Sequence, residues 1–279
     1  GNAFDAAVAV TAALSVVEPV GSGLGGGGFW LIHRARDGYQ AMVDGRERAP
    51  LKAHKDMYLN GAGEVIPGAS LNGPLAAAIP GEPAALVHIA ESYGRLPLSV
   101  SLTPAIELAR EGFPVGERFR QRVEWRKSVL NARGRELFLR DGKTPDTGTV
   151  VRQPELAATL QEISVKGRDG FYTGWVASTL VSEIATAGGI WTQQDLSEYR
   201  IIEREPIVIH YHGARIVSAS LPSSGGIVLG QILNMLQLRP TLRDDREQQV
   251  HTIVEAMRRA YRDRALLLGD VDFVDVDQS

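Results

Sequence analysis

Arg46 stands in the run Val43-Asp44-Gly45-Arg46-Glu47-Arg48-Ala49-Pro50. A guanidinium can grip a carboxylate through two parallel hydrogen bonds, so a free carboxylate on a small ligand is its natural partner. The same run also reads as a solvated ion-pair cluster, because Asp44, Glu47 and Arg48 surround the arginine and exposed pairs of this kind are common and weak. Two other groups invite chemistry. Pro222-Ser223-Ser224-Gly225-Gly226 offers hydroxyls and backbone N–H groups at a helix start. A nucleophile elbow needs glycine two residues before its serine, and Leu221 and Pro222 stand there instead, so capping and turn formation is the better reading. His210 and His212 share one face of an expected strand by its period of two. With no cysteine in the chain and no acidic pattern nearby, they do not amount to a metal site. Residue chemistry alone therefore reaches one candidate anion-binding arginine and no nucleophile–base pair.

What must position Arg46 is the sequence before it. Gly21-Ser22-Gly23-Leu24-Gly25-Gly26-Gly27-Gly28 joins an alanine-rich stretch to the apolar run Phe29-Trp30-Leu31-Ile32. Such a glycine run is entropically costly, and makes sense where backbone passes very close to another group or adopts conformations closed to other residues. Gly21-x-Gly23-x-x-Gly26 matches the letters of the dinucleotide fingerprint. That site needs a strand before the glycines and a helix after them, and here the order is reversed. No Gly-Lys-Ser/Thr follows, so a P-loop fails too. A tight turn between closely packed backbones stays open beside the functional reading.

The periodicity predicts a helix over 3–17, capped by Asn2 or Asp5 and stopped at Glu18-Pro19. Strands are expected over 29–33 and 40–44 around Arg36-Asp37-Gly38, and an irregular excursion over 52–72. Helices follow at 83–93 and 104–110, then an exposed helix over 119–139, a loop over 141–149, and helices at 153–164 and 175–187 closed by Gly188-Gly189. Thr192–Leu196 reads as a short capped turn. Strands at 207–212 and 215–220 precede a helix over 227–236 and the longest helix, 250–268. On that last helix Glu255, Arg258, Arg259, Arg262 and Asp263 space at three and four, as on an exposed face. There is no internal repeat and no linker able to divide the chain, which predicts one α/β domain over 1–279 carrying a helical insertion at roughly 80–200.

Composition narrows the partners. The 279 residues, 44% hydrophobic and 23% charged, can bury an ample core. A formal net charge of −3 gives no reason to expect nucleic acid or an anionic membrane, and no apolar run approaches the roughly 20 residues of a bilayer span. The absence of cysteine removes disulfides and thiolate chemistry. The first residues carry neither Met nor a leader, and Val271–Ser279 alternate apolar and acidic residues without a closing element. That pattern is expected of a chain trimmed at both ends.

Taken together, the motifs resemble the gamma-glutamyltranspeptidase family nearly end to end. Asn2-Ala3-Phe4-Asp5-Ala6-Ala7 with Glu18-Pro19 and the glycine run is similar to the family's opening. Asp44-Gly45-Arg46-Glu47-Arg48-Ala49-Pro50 is similar to its Asp-Phe-Arg-Glu-x-Ala-Pro segment. Ile79-Pro80-Gly81, Tyr93-Gly94-Arg95-Leu96-Pro97, Phe171-Tyr172-x-Gly174, Pro222-Ser223-Ser224-Gly225-Gly226 and Leu268-Gly269-Asp270-x-Asp272-Phe273 continue in order. There are three departures: Gly45 for the usual aromatic, Leu221 for the first of two prolines, and Glu82-Pro83 for a Thr-Val pair. The resemblance implies an N-terminal-nucleophile hydrolase with an αββα sandwich completed by a separate small subunit. It implies a self-cleaving precursor whose threonine nucleophile begins that small subunit, with the threonine's own α-amine as base. Neither that Thr-Thr-His segment nor any other catalytic residue is expected in this chain. The substrate would be glutathione or another γ-glutamyl donor, with water or an amino acid as acceptor, no cofactor and no metal. The family's carboxylate-holding arginine maps onto Arg46, and a periplasmic or secreted location is implied. A cephalosporin-type acylase, a capsule depolymerase or an inactive scaffold homologue are the alternatives.

Overall fold

The computed structural model describes residues 1–238 and 246–276; Asp277, Gln278 and Ser279, the end of the alternating tail, lie outside the described residues. The first elements are α1 (Ala3–Val17), β1 (Gly28–Arg34), β2 (Tyr39–Gly45), α2 (Glu82–Tyr93) and α3 (Leu98–Glu111). Then come β3 (Phe113–Pro114), α4 (Glu117–Arg126), α5 (Ala132–Phe138), β4 (Val150–Val151), α6 (Pro154–Lys166) and α7 (Asp169–Tyr172). The series closes with α8 (Gly174–Thr186), α9 (Gln193–Glu198), β5 (Ile202–Arg204), β6 (Ile207–Tyr211), β7 (Ala214–Ser218), α10 (Gly225–Gln237) and α11 (Arg246–Leu267). The mixed α/β chain forms two compact units, Gly1–Gly28 with Gly45–Ile201, and Phe29–Asp44 with Ile202–Ser279.

The first unit is helical. Asn2 and Asp5 form a reciprocal capping box at the start of α1, which satisfies two otherwise orphaned N–H groups. Val8, Ala12 and Val16 are buried on one face of α1, which packs on α2 and α3, and α3 in turn packs on α6. Gln153 ties these layers together, its Nε2 donating to the Val16 carbonyl at 2.8 Å and its N–H to that of Ala109 at 2.7 Å. Two sequence expectations change here. Helix α3 begins at Leu98, so Pro104 lies inside it rather than at its start. The interior proline costs about 3 kcal/mol, offset by burial of Leu102, Ala105, Ile106 and Ala109. The single helix expected over 119–139 is instead α4, a 3-10 turn at Lys127–Val129, and α5. Asn131 starts the new helix because its side chain accepts from the Gly134 N–H at 2.8 Å. Nor is that region wholly exposed: Phe119 is buried between the rings of Phe113 and Phe138.

The second unit holds a three-stranded sheet in the order β1-β2-β5 and a β6–β7 hairpin. Strand β5, which the sequence reading lacks, pairs antiparallel with β2 in the register Met42↔Arg204, Val43↔Glu203, Asp44↔Ile202. Three residues carrying two charges leave no periodicity to read. Helix α10 packs on β6 and α11. No helix among the described residues is long and apolar enough to cross a membrane.

Candidate functional site

Arg46 follows directly on β2 and is exposed. Its backbone is gripped by two glycine turns of the first unit. A Cβ on Gly27 would collide with the Gly45 carbonyl oxygen and lie 3.0 Å from the Glu47 nitrogen. One on Gly81 would collide with the same carbonyl oxygen and with the Tyr199 hydroxyl. Only glycine permits this approach. The N–H groups of Gly81 and Glu82 both donate to the Gly26 carbonyl, at 2.9 and 3.0 Å, which ties the start of α2 to the glycine run. The close-packing reading of that run holds: it is a close backbone crossing, and what it crosses is the Arg46 segment.

Downstream the segment is held as firmly. Tyr199 donates its hydroxyl to the Arg46 carbonyl at 2.8 Å. Arg48 exchanges two backbone hydrogen bonds with Ile79, at 3.1 and 2.7 Å, and its guanidinium lies 5.8 Å from the Tyr199 ring centre. The Leu51 N–H donates to the Asp195 carboxylate at 2.5 Å, while the other Asp195 oxygen closes a capping box with Thr192. Tyr199 is itself fixed, stacked on Tyr172 at 5.4 Å and 7°. Such a pair adds about 0.5–1.5 kcal/mol beyond burial. Arg168 donates to the Tyr199 carbonyl at 2.7 Å and lies over the Tyr172 ring at 4.7 Å. Tyr172 donates to the Pro80 carbonyl at 2.7 Å, and burial, with the neighbouring Tyr199, pushes its phenol well above the usual range.

Beneath this segment sits Glu82, the first residue of α2, with only 4% of its surface exposed. Its Oε1 has no hydrogen-bond partner. Burial, then the Glu47 charge, pushes the carboxyl up to about 8, so the protonated form dominates at neutral pH. It is the position already marked as a departure from the family's Thr-Val pair.

The other sequence candidates fall elsewhere. Asp44 is buried and bonded to Arg204 at 2.8 Å, so it is no member of a solvated cluster. Ser224 occupies the N-cap position of α10 but makes no side-chain cap; its hydroxyl instead accepts from Arg264 at 2.9 Å. His210 lies on β6, whereas His212 turns into the left-handed region at φ 46°, so the period of two breaks between them. Among the described residues no three metal-ligating side chains converge. Sequence reasoning singled out Arg46 but not Tyr172, Arg168 and Tyr199, which hold its segment, since whole helices separate them along the chain. Only the glycine run and the Ile79-Pro80-Gly81 turn carried a signal, in the intolerance of a Cβ at Gly27 and Gly81.

The gamma-glutamyltranspeptidase family model matches residues 1–279. The chain belongs to the gamma-glutamyltranspeptidase family. It is 43% identical, over 98% of its length, to a glutathione hydrolase proenzyme of Pseudomonas sp. (strain A14), of which it covers 48%. It therefore spans about half the length of the curated relatives it matches. The gamma-glutamyltranspeptidase of Helicobacter pylori superposes with a TM-score of 0.96 at 39% identity, over 99% of this chain and 80% of that one. A cephalosporin acylase from Bacillus halodurans superposes at 0.86 and 29% identity, over the whole chain and 52% of its own.

Proposed function

We propose that this chain is the large-subunit part of a gamma-glutamyltranspeptidase, and that Arg46 holds the α-carboxylate of its γ-glutamyl donor. The observation that carries the reading is the rigid presentation of an exposed arginine, its backbone clasped by Gly27, Gly81 and Tyr199, in a chain whose relatives include named glutathione hydrolase proenzymes. With the backbone anchored, only the arginine side chain is left to order when a carboxylate binds. The nucleophile is a threonine in the part of the protein outside this chain, freed when water adds across the peptide bond before it. Its hydroxyl attacks the γ-carbonyl while its α-amine takes the proton and delivers it to the departing amine. Water or an amino acid then takes the acyl group, restoring the threonine.

The small subunit that carries this threonine also completes the αββα sandwich, the two units of this chain together forming the large-subunit domain. An exposed apolar stripe supports a covering partner: Val250, Val254, Met257 and Tyr261 recur on one face of α11 and are all exposed, a pattern that marks an unburied interface. A periplasmic or secreted location belongs to the same proposal and rests on the family resemblance alone.

The test is Arg46→Ala in the full-length protein. A charged hydrogen bond is worth about 1.5–3 kcal/mol, so KM for a γ-glutamyl anilide should rise roughly ten- to a few hundredfold, with Arg46→Lys recovering only part. A donor analogue without the α-carboxylate should be nearly indifferent. Equal weakening of both donors would make the arginine structural. The likeness to a cephalosporin acylase supports a second reading, an amide donor other than a γ-glutamyl one, which turnover of a cephalosporin amide with no turnover of a γ-glutamyl anilide would favour.

A further inference from the structure

Glu82 is the buried acid that the chemistry above leaves unused, and its neighbours are the parts that hold Arg46. Its N–H and that of Gly81 both donate to the Gly26 carbonyl. Glu47 reaches the same glycine, since a Cβ on Gly26 would stand 3.4 Å from Glu47 Oε1. Glu47 follows Arg46 directly in the chain. The other neighbours are aromatic. Tyr172 donates to the Pro80 carbonyl, accepts from the Ala84 N–H at 3.3 Å and stacks on Tyr199, whose hydroxyl holds the Arg46 carbonyl. A charge on Glu82 bears on the Tyr172 phenol, adding to burial and Tyr199 in pushing it up. The cations nearby are turned to these rings: Arg168 lies over Tyr172 and binds the Tyr199 carbonyl, and Arg48 lies against Tyr199. Arg46 itself is exposed. Glu82 thus meets a carboxylate and two phenols, with Oε1 unpartnered. A neutral acid can rest in such a place. Its ionised form is opposed by burial and then by the Glu47 charge. Glu47 is only partly buried, so it is the group that can give way, and Arg46 is joined to it.

We propose that Glu82 is a positioning residue for donor binding: as the neutral acid it lets Glu47 rest against the Gly26 turn and keeps Arg46 in place, and as the carboxylate it drives Glu47 outward and draws Arg46 away from the donor. This rests on the reading that Arg46 holds the donor's α-carboxylate. The threonine that the family resemblance sets at this position could not act so, because it does not ionise. With the Glu82 proton released at about 8, about one molecule in eleven keeps the acid at about pH 9, and apparent KM rises as that fraction falls.

The test compares full-length parent and Glu82→Gln, with donor KM measured from about pH 6 to about pH 9. Titration of the donor's amine and of the threonine's amine is common to both proteins, so the ratio of parent to variant KM isolates Glu82. That ratio should rise roughly tenfold across the range for a γ-glutamyl anilide, with kcat moving much less. It should stay flat for a donor analogue without the α-carboxylate. Glu82→Thr gives the same comparison should the glutamine variant fail to fold. The infrared band of the protonated carboxyl, absent from Glu82→Gln, should fade over the same range, and Glu47→Gln should move that fading to lower pH. A flat ratio, or an equal rise for the analogue, would overturn the proposal. Arg46→Ala run alongside keeps the two readings apart. A flat ratio beside a large Arg46→Ala effect strikes the role of Glu82 alone. If Arg46→Ala leaves KM unchanged, the carboxylate clamp falls and this role with it, whatever the infrared band does.

Discussion

Glu82→Gln should flatten the pH dependence of stability. The native protein holds the Glu82 proton up to about pH 8 because the carboxyl is buried and faces Glu47, whereas the unfolded chain releases it near the ordinary value of 4.5. Between those limits the unfolded state binds fewer protons, so the sign is fixed: stability is highest in acid and falls as pH rises. Each pH unit in the window costs about 1.4 kcal/mol. From about pH 5 to about pH 7.5 this single group removes about 3 kcal/mol, a large share of a typical folding free energy of roughly 5–15 kcal/mol. Glutamine keeps the shape and cannot ionise. Its amide meets the same unpartnered surroundings that leave Oε1 unbonded, so at about pH 5 the variant should be less stable by roughly 1–3 kcal/mol. By about pH 7.5 it should match or exceed the parent. The assay is urea unfolding of both proteins across that range, followed by tryptophan fluorescence and circular dichroism. The difference between the two curves, rather than either level, carries the result. Curves that stay parallel within about 0.5 kcal/mol would mean that Glu82 ionises normally and that its burial is relieved in solution.

Gly81→Ala places a methyl against the Gly45 carbonyl and the Tyr199 hydroxyl; donor KM should rise at least about tenfold, with a loss of stability of roughly 1–3 kcal/mol measurable by thermal melting. Tyr199→Phe removes one hydrogen bond to the Arg46 carbonyl but keeps the ring stack, so KM should rise about fivefold with kcat nearly intact; a fall in kcat alone would show that Tyr199 does something other than hold Arg46. The chain of residues 1–279 expressed without the remainder of the protein should show no turnover of a γ-glutamyl anilide, and robust turnover would place the nucleophile inside it.

Local chemistry was legible in the sequence. Asn2 caps α1 because a short polar side chain reaches free N–H groups anywhere it precedes a helix. The turn at Asp37-Gly38 and the strands flanking it follow from residues a few positions apart, as does the stop at Gly188, which takes φ 94°. Arg46 could be named because its side chain carries its chemistry wherever it is placed. Its supports could not. Tyr199, Tyr172 and Arg168 meet the Arg46 segment only after the helices between them have packed, and ring stacking and hydrogen bonds to carbonyls leave no spacing to read. The fate of the charges was equally hidden: Asp44 and Glu47 belong to one acidic-basic run, yet Asp44 is buried on Arg204 while Glu47 bears on the buried Glu82. Whether a charge is solvated, paired or suppressed depends on the dielectric and neighbours that tertiary packing supplies. Residue order determined which groups this protein could use, and the fold alone decided which of them are held, and against what.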